Sequence, residues 1–176
     1  MTHRCSWVGT DPLLKTYHDD IWGRPVQDPE KLFQALSLEI FQAGLSWRTI
    51  LGRVGALNCA YENFNIAAVA QFPQQKLTRL AKDPQLIRHP KKVLAIHNNA
   101  QKVLAHWPET TAFAAYLWTF ALPQTASPKD KQQQARLAEK SLKRRGFRFL
   151  GPTILTSFFE AVGIFPAHEP TCDWAN

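Results

Sequence analysis

The sequence predicts an all-α protein folded as one domain. Apolar residues recur at three- and four-residue steps in one segment after another, and no stretch shows the alternating β-branched pattern between tight turns that marks a sheet. The chain, at 176 residues, is about one domain long and can bury a core without disulfides. With 45% hydrophobic and 20% charged residues it has ordinary globular composition, which excludes a disordered chain, a collagen-like repeat and a coiled-coil rod.

The first clear helix opens at Asp28, an N-cap, with Pro29 at the first helical position. Leu32, Phe33, Leu36, Ile40 and Ala43 form its apolar stripe, and Gly44 ends it. Ser46 caps a second helix that carries Trp47, Ile50, Leu51, Val54, Leu57 and Tyr61 on one stripe, and Asn65 caps a short third. Further helices are expected at 74–82, 91–106, 110–120, 131–145 and, after Pro152, 153–162. The segment 122–130, with Pro123 and Pro128 among small polar residues, reads as a loop. Neither end of the chain shows an obvious helix.

The helices at 74–82 and 91–106, joined by the turn 83–90, make a helical hairpin. Arg88, Lys91 and Lys92 crowd the start of its second helix, where cations oppose the macrodipole. They fit there if an external anion shares the free backbone N–H groups; the alternative is a solvated turn. Twenty-one Lys and Arg against fourteen Asp and Glu give a net charge of +7, a balance that favours polyanions such as nucleic acid. No apolar run is long enough to span a bilayer, and the first residues lack the layout of a secretory leader, so a cytoplasmic protein with reduced thiols is expected and no membrane partner.

Two constellations could carry chemistry. Glu39 falls on the buried face of the first long helix, between Leu32, Leu36 and Ala43. It either caps at the edge of the stripe or lines an apolar pocket as a lone acid. Trp7, Tyr17, Trp22, Phe41 and Trp47 gather in the same region, and an acid among electron-rich rings suits a flat cationic heteroaromatic. The second constellation is Cys5 and His18 near one end with His168 and Cys172 near the other. Four such ligands make a closed tetrahedral Zn²⁺ site, structural because no position remains for water. His3, Cys59 and Asp173 compete as ligands, although Cys59 lies within a helical pattern and reads as a small core residue. Lys143, Arg144 and Arg145, with Arg148 just beyond, close a helix before Gly146, where cations either offset the dipole or meet DNA. No nucleophile elbow, Gly-rich phosphate loop or His-Glu-x-x-His motif is present.

Several strings together closely resemble the bacterial 3-methyladenine DNA glycosylase I family. They are Arg4-Cys5-Ser6-Trp7-Val8, Asp11-Pro12-Leu13, Tyr17-His18-Asp19, Trp22-Gly23, Leu38-Glu39, Gln42-Ala43-Gly44-Leu45-Ser46-Trp47, Ile87-Arg88-His89, and the stretch from Leu142 to Ile154. The resemblance spans Arg4 to Cys172. It implies a single glycosylase domain over 1–176 with the helix–hairpin–helix fold, one structural zinc on Cys5, His18, His168 and Cys172, and hydrolysis of the N-glycosidic bond of 3-methyladenine in double-stranded DNA by base flipping. Glu39 is then the catalytic acid, and Tyr17, Trp47, Trp22 and Trp7 form the base pocket. The hairpin with Arg88, His89, Lys91 and Lys92 grips phosphate, with Arg144 and Arg145 as further DNA contacts. Leu14 departs from the family at a position where relatives can carry tyrosine, and Ile40 replaces a commonly small residue. A monofunctional monomer is expected, with 3-methyladenine as released product. The alternative is a zinc-stapled DNA-binding module of the same fold that has lost activity.

Overall fold

The computed structural model describes residues 2–175; Met1 and Asn176, the two ends of the expected domain, lie outside them. Among the described residues the fold is all helical. Its elements are α1 (Pro12–Asp20), α2 (Pro29–Gln42), α3 (Trp47–Leu51), α4 (Val54–Ala60), α5 (Ile66–Ala70), α6 (Gln74–Leu80), α7 (Pro90–His106), α8 (Thr110–Trp118), α9 (Pro128–Arg144) and α10 (Pro152–Ala161). Single 3-10 turns at Ser6–Val8 and Glu62–Phe64 complete it. No helix among the described residues is long and apolar enough to cross a membrane.

One local device starts half of these helices. Pro12, Pro29, Pro90, Pro128 and Pro152 each stand at a first helical position, where a fixed φ helps and a missing N–H costs nothing. Asp28 accepts from the backbone N–H of Lys31 at 2.8 Å, and Asn65 from that of Ala68 at 2.9 Å, so both capping expectations are met. Ser127 and Asp130 form a reciprocal capping box. The expected loop at 122–130 therefore stops short, because Pro128, Lys129 and Asp130 are the first turn of α9.

Helix α1 is absent from the sequence expectation. Its start signal, Asp11-Pro12, is the same as that of α2, but only Tyr17 and His18 are buried, so no apolar stripe accompanies it. The second expected helix is also two: it breaks at Gly52 and Arg53 into α3 and α4. Ile50, Leu57 and Tyr61 keep the buried positions, while Cys59 comes out exposed rather than in the core, two residues and half a turn from Leu57.

Helix α2 is the centre of the core and packs on α3, α7, α8 and α10. Leu32, Phe33, Leu36, Ile40 and Phe41 are all buried along it. Helix α7 crosses its end, and Lys92 is consumed in that crossing. The Lys92 ammonium donates to the carbonyls of Phe41 at 2.8 Å and Ala43 at 2.6 Å, filling acceptors that the end of α2 leaves open. Burial pushes its pKa down, and at 3% exposure it is not a phosphate ligand. The expectation for Lys92 is corrected accordingly.

Farther along α7, Asn99 clamps the loop that joins α9 to α10. Its Nδ2 donates to the Arg148 carbonyl at 3.0 Å, and its Oδ1 accepts from the Arg148 N–H at 2.8 Å. Asn98 adds a bond to the Gly146 carbonyl at 2.9 Å. The clamp sets the approach of α10, which carries one side of the site described next. Asn99→Ala is expected to lower stability by about 2–3 kcal/mol with an unchanged urea m value, since it strands both backbone groups of Arg148. Urea unfolding of the two proteins checks it; a loss below about half a kcal/mol would leave the clamp without energetic weight.

Candidate active site

An open pocket of about 200 Å³ is lined by Trp7, Tyr17, Trp22, Glu39, Gln42, Trp47, Ser157 and Glu160. Five separate pieces of chain supply these side chains. Asp11 holds two of them in register: one carboxylate oxygen caps α1 through the Leu13 N–H at 2.8 Å, and the other pairs with Arg48 of α3. Ser46 caps α3 by accepting from the Thr49 N–H at 3.2 Å. Tyr17 on α1 and Trp47 on α3 are thereby set with ring centroids 5.1 Å apart at 55°. Trp7 stands 5.0 Å from Trp22, edge to face, and 6.4 Å from Tyr17, so the four rings form a continuous wall.

Glu39 reaches this wall from the apolar face of α2 and is 6% exposed. Loss of water, and secondarily the charge of Glu160, push its pKa up to about 8. At neutral pH the carboxyl is therefore mostly a neutral acid. The Tyr17 phenol is likewise raised by burial and by Glu39, and stays a protonated donor. A second, mainly apolar cavity of about 330 Å³ lies behind the same three residues, with Leu13, Leu38, Leu51 and Val54 among its walls. Tyr17, Glu39 and Trp47 thus form a partition between the two spaces. The Trp47 indole N–H is buried in it without an acceptor among the described residues.

The thiols and imidazoles expected as metal ligands do converge. One donor atom each from Cys5, His18, His168 and Cys172 lie within 4.8 Å of one another. Cys172 Sγ is 3.5 Å from both His18 Nε2 and His168 Nδ1, and Cys5 Sγ is 3.7 Å from His168 Nδ1. Bonds of about 2.0–2.3 Å to a central ion require tetrahedron edges of about 3.3–3.8 Å, so the donor set fits a metal. His18 Nδ1 is 2.8 Å from the Asp19 carboxylate, itself gripped by Arg4 at 2.6 Å, the outer support that metal-bound histidines usually have. A Cβ on Gly23 would fall 2.7 Å from His168 Nε2, so only glycine leaves room for that ring. The cluster also backs the aromatic wall: Trp22 stacks on His18 at 5.8 Å and meets His168 edge-on at 4.8 Å. His3, Cys59 and Asp173 are not part of it.

The cations expected on DNA divide. Arg88 and Lys91 are exposed, and His89 caps α7 by accepting from the Lys92 N–H at 3.3 Å. Arg88 and His89 line a groove of about 430 Å³ with Gly44, Leu45 and Arg53. Arg144 is exposed. Arg145 is half-exposed and partly tied down: it donates to the Ser141 carbonyl and hydroxyl at 3.1 and 2.8 Å and stacks on Tyr116 at 4.9 Å. Gln42, Ser157 and Glu160 had not been expected in the pocket. Glu160 had a signal, since it is the one charged residue in the helix Pro152–Ala161.

The family model described as methyladenine glycosylase matches residues 7–176. The chain belongs to this family. It is 37% identical to DNA-3-methyladenine glycosylase 1 of Escherichia coli (strain K12), covering 96% of this chain and 95% of that protein. It is 33% identical to DNA-3-methyladenine glycosylase of Haemophilus influenzae, covering 98% and 97%. A crystal structure of a 3-methyladenine DNA glycosylase I superposes with a TM-score of 0.88 at 34% identity, over 99% of this chain and all of that one. The Staphylococcus aureus enzyme, solved to explain its recognition of 3-methyladenine, matches at 0.84 and 36% identity, over 97% and 95%. Family membership and the all-helical fold are therefore established independently of the site.

Burial of Glu39 has a thermodynamic consequence. An ordinary glutamate titrates near 4.5, and this one near 8, so between those values the folded protein binds the extra proton and loses stability as pH rises. The cost is absent below about pH 4.5 and complete above about pH 8. Glu39→Gln removes it. The variant is expected to melt close to the parent at pH 5 and at clearly higher temperature at pH 8, by an amount worth a few kcal/mol. Thermal unfolding across that range checks it, and a difference independent of pH would contradict it.

Proposed function

We propose that this chain is a monofunctional DNA glycosylase that removes 3-methyladenine from alkylated double-stranded DNA. One observation supports it above the others: a buried acid faces a pocket walled by four aromatic rings, on a basic helical domain of the methyladenine glycosylase family. The whole chain, 1–176, acts as one domain. It acts as a monomer, on DNA in the cytoplasm.

Methylation at N3 makes the adenine cationic and a good leaving group. Selective extraction then does much of the discrimination, because flipping costs a few kcal/mol and is cheapest for a weakly paired, damaged base. Tyr17 and Trp47 stack on the cationic ring, with Trp7 and Trp22 closing the pocket beyond them. Glu39 meets the base edge and accepts from the exocyclic amino group. A cationic guest favours its ionised form, so the proton that burial keeps on Glu39 leaves as the base enters.

The duplex backbone lies along the hairpin of α6 and α7, which serves as the helix–hairpin–helix element. Arg88, Lys91 and the His89-capped start of α7 meet phosphate, with Arg144 at a second point. No lysine lines the base pocket among the described residues. The bond is therefore hydrolysed by water rather than through a Schiff base, and the strand is left uncut.

Cys5, His18, His168 and Cys172 hold one Zn²⁺. Bound there, zinc fastens the chain ends together and holds the surface on which Trp22 and Trp7 rest; with all four positions taken by protein it supplies no water for chemistry.

Two measurements test this reading. Chromatography of N-methylated DNA treated with the protein is expected to show free 3-methyladenine, and Glu39→Gln to slow its release roughly tenfold or more at the same salt. A folded protein that binds DNA and releases no base would be a binding module instead. Metal analysis is expected to give one zinc per chain, with Cys172→Ser losing it and melting several degrees lower. Full stability of a metal-free protein would remove zinc from the account.

A further inference from the structure

We propose that Glu160 is a second catalytic carboxylate of this enzyme, acting at the sugar as charge stabiliser and proton acceptor while Glu39 addresses the purine, and that Lys131 positions it. The inference rests on the glycosylase reading and adds a residue to it. Three features of the structure carry it.

The first is location. Ser157 and Glu160, three residues apart on one face of α10, line the base pocket and also a neighbouring groove of about 580 Å³ between α9 and α10. No other residue is common to the two. In this proposal the nucleotide enters base-first from the side of this groove, so that its glycosidic bond crosses the boundary that Ser157 and Glu160 form. The second is charge. Beyond the boundary the groove wall carries Arg136, which suits a phosphate, whereas the Lys131 ammonium is taken up by Glu160, which sits where the two spaces meet.

The third feature is restraint. The Lys131 ammonium on α9 holds Glu160 Oε1 at 2.7 Å, with side chains 17% and 25% exposed, and Oε2 has no partner among the described residues. Lys131 approaches from the groove and does not line the base pocket. The carboxylate is thus fixed from behind, with one oxygen uncommitted.

Such a carboxylate has work that Glu39 cannot do. Glu39 lies deep in the pocket and addresses the base. As the bond between the sugar C1′ and the purine breaks, both its electrons go to the purine, which leaves neutral. The positive charge passes to C1′ and the ring oxygen. A carboxylate at the boundary stabilises that cation. When water oxygen bonds to C1′, the surplus proton passes to Glu160 and from there to solvent. The balance is a cationic nucleotide and water giving neutral base, abasic sugar and one proton.

Single-turnover excision of 3-methyladenine from a methylated duplex tests the proposal, run beside quenching of the tryptophan fluorescence by free 3-methyladenine and duplex affinity. Glu160→Gln, nearly isosteric, is expected to slow excision about tenfold or more while both affinities stay within about twofold. Glu160→Asp keeps the charge and retains part of the rate. Lys131→Met is expected to slow excision and Lys131→Arg to restore it, a rescue that a packing role would not show. Full-rate excision by Glu160→Gln overturns the proposal and leaves the glycosylase reading standing. Equal loss of excision and free-base binding also overturns it, because Glu160 then belongs to base recognition. If the wild type excises nothing, the glycosylase reading itself fails and this inference falls with it.

Discussion

The Lys92 ammonium on the last carbonyls of α2 is the interaction on which the geometry of this protein turns. It joins the helix that carries Glu39 to the helix that ends the basic hairpin. A buried ammonium is expensive unless its protons are shared, and the open acceptors at the end of a helix are an adequate answer. Because α2 must end where Lys92 reaches it, the turn through Gly44 and the cap at Ser46 follow immediately. Trp47 then begins α3 beside Tyr17. The pocket and the hairpin are thus parts of one mechanical unit.

Two carboxylates face the same pocket in different surroundings. Glu39 sits in the partition between the two cavities, where burial pushes its pKa up to about 8. Glu160 is a quarter exposed and ion-paired across α9 and α10. The environments, not the residue types, separate their proposed tasks of recognising the base and steadying the sugar. The Cys and His cluster contributes from behind, since the aromatic wall leans on its imidazoles.

Much of this could be read from the chain. The apolar stripe of α2, the caps at Asp28, Ser46 and Asn65, and the odd placement of Glu39 all depend on spacing along a helix, which is local. Helix α1 was missed because its nine residues carry almost no stripe, although Asp11-Pro12 marks its start. The expectation for Lys92 fails for a physical reason. A cation near a helix end looks the same in sequence whether it faces a phosphate or a neighbouring helix, and only packing separates these cases.

The sequence by itself determined the all-helical class, the acid on a buried face, the ring-rich region beside it and the four residues able to hold a metal. Residue type and helical period decide those properties. Tertiary structure alone decided that Gln42, Ser157 and Glu160 join the pocket, that Lys131 stands behind Glu160, and that Cys59 turns outward. These depend on where α9 and α10 pack and on a break at Gly52 and Arg53. Contacts between residues more than a hundred positions apart leave no periodic trace in a single chain.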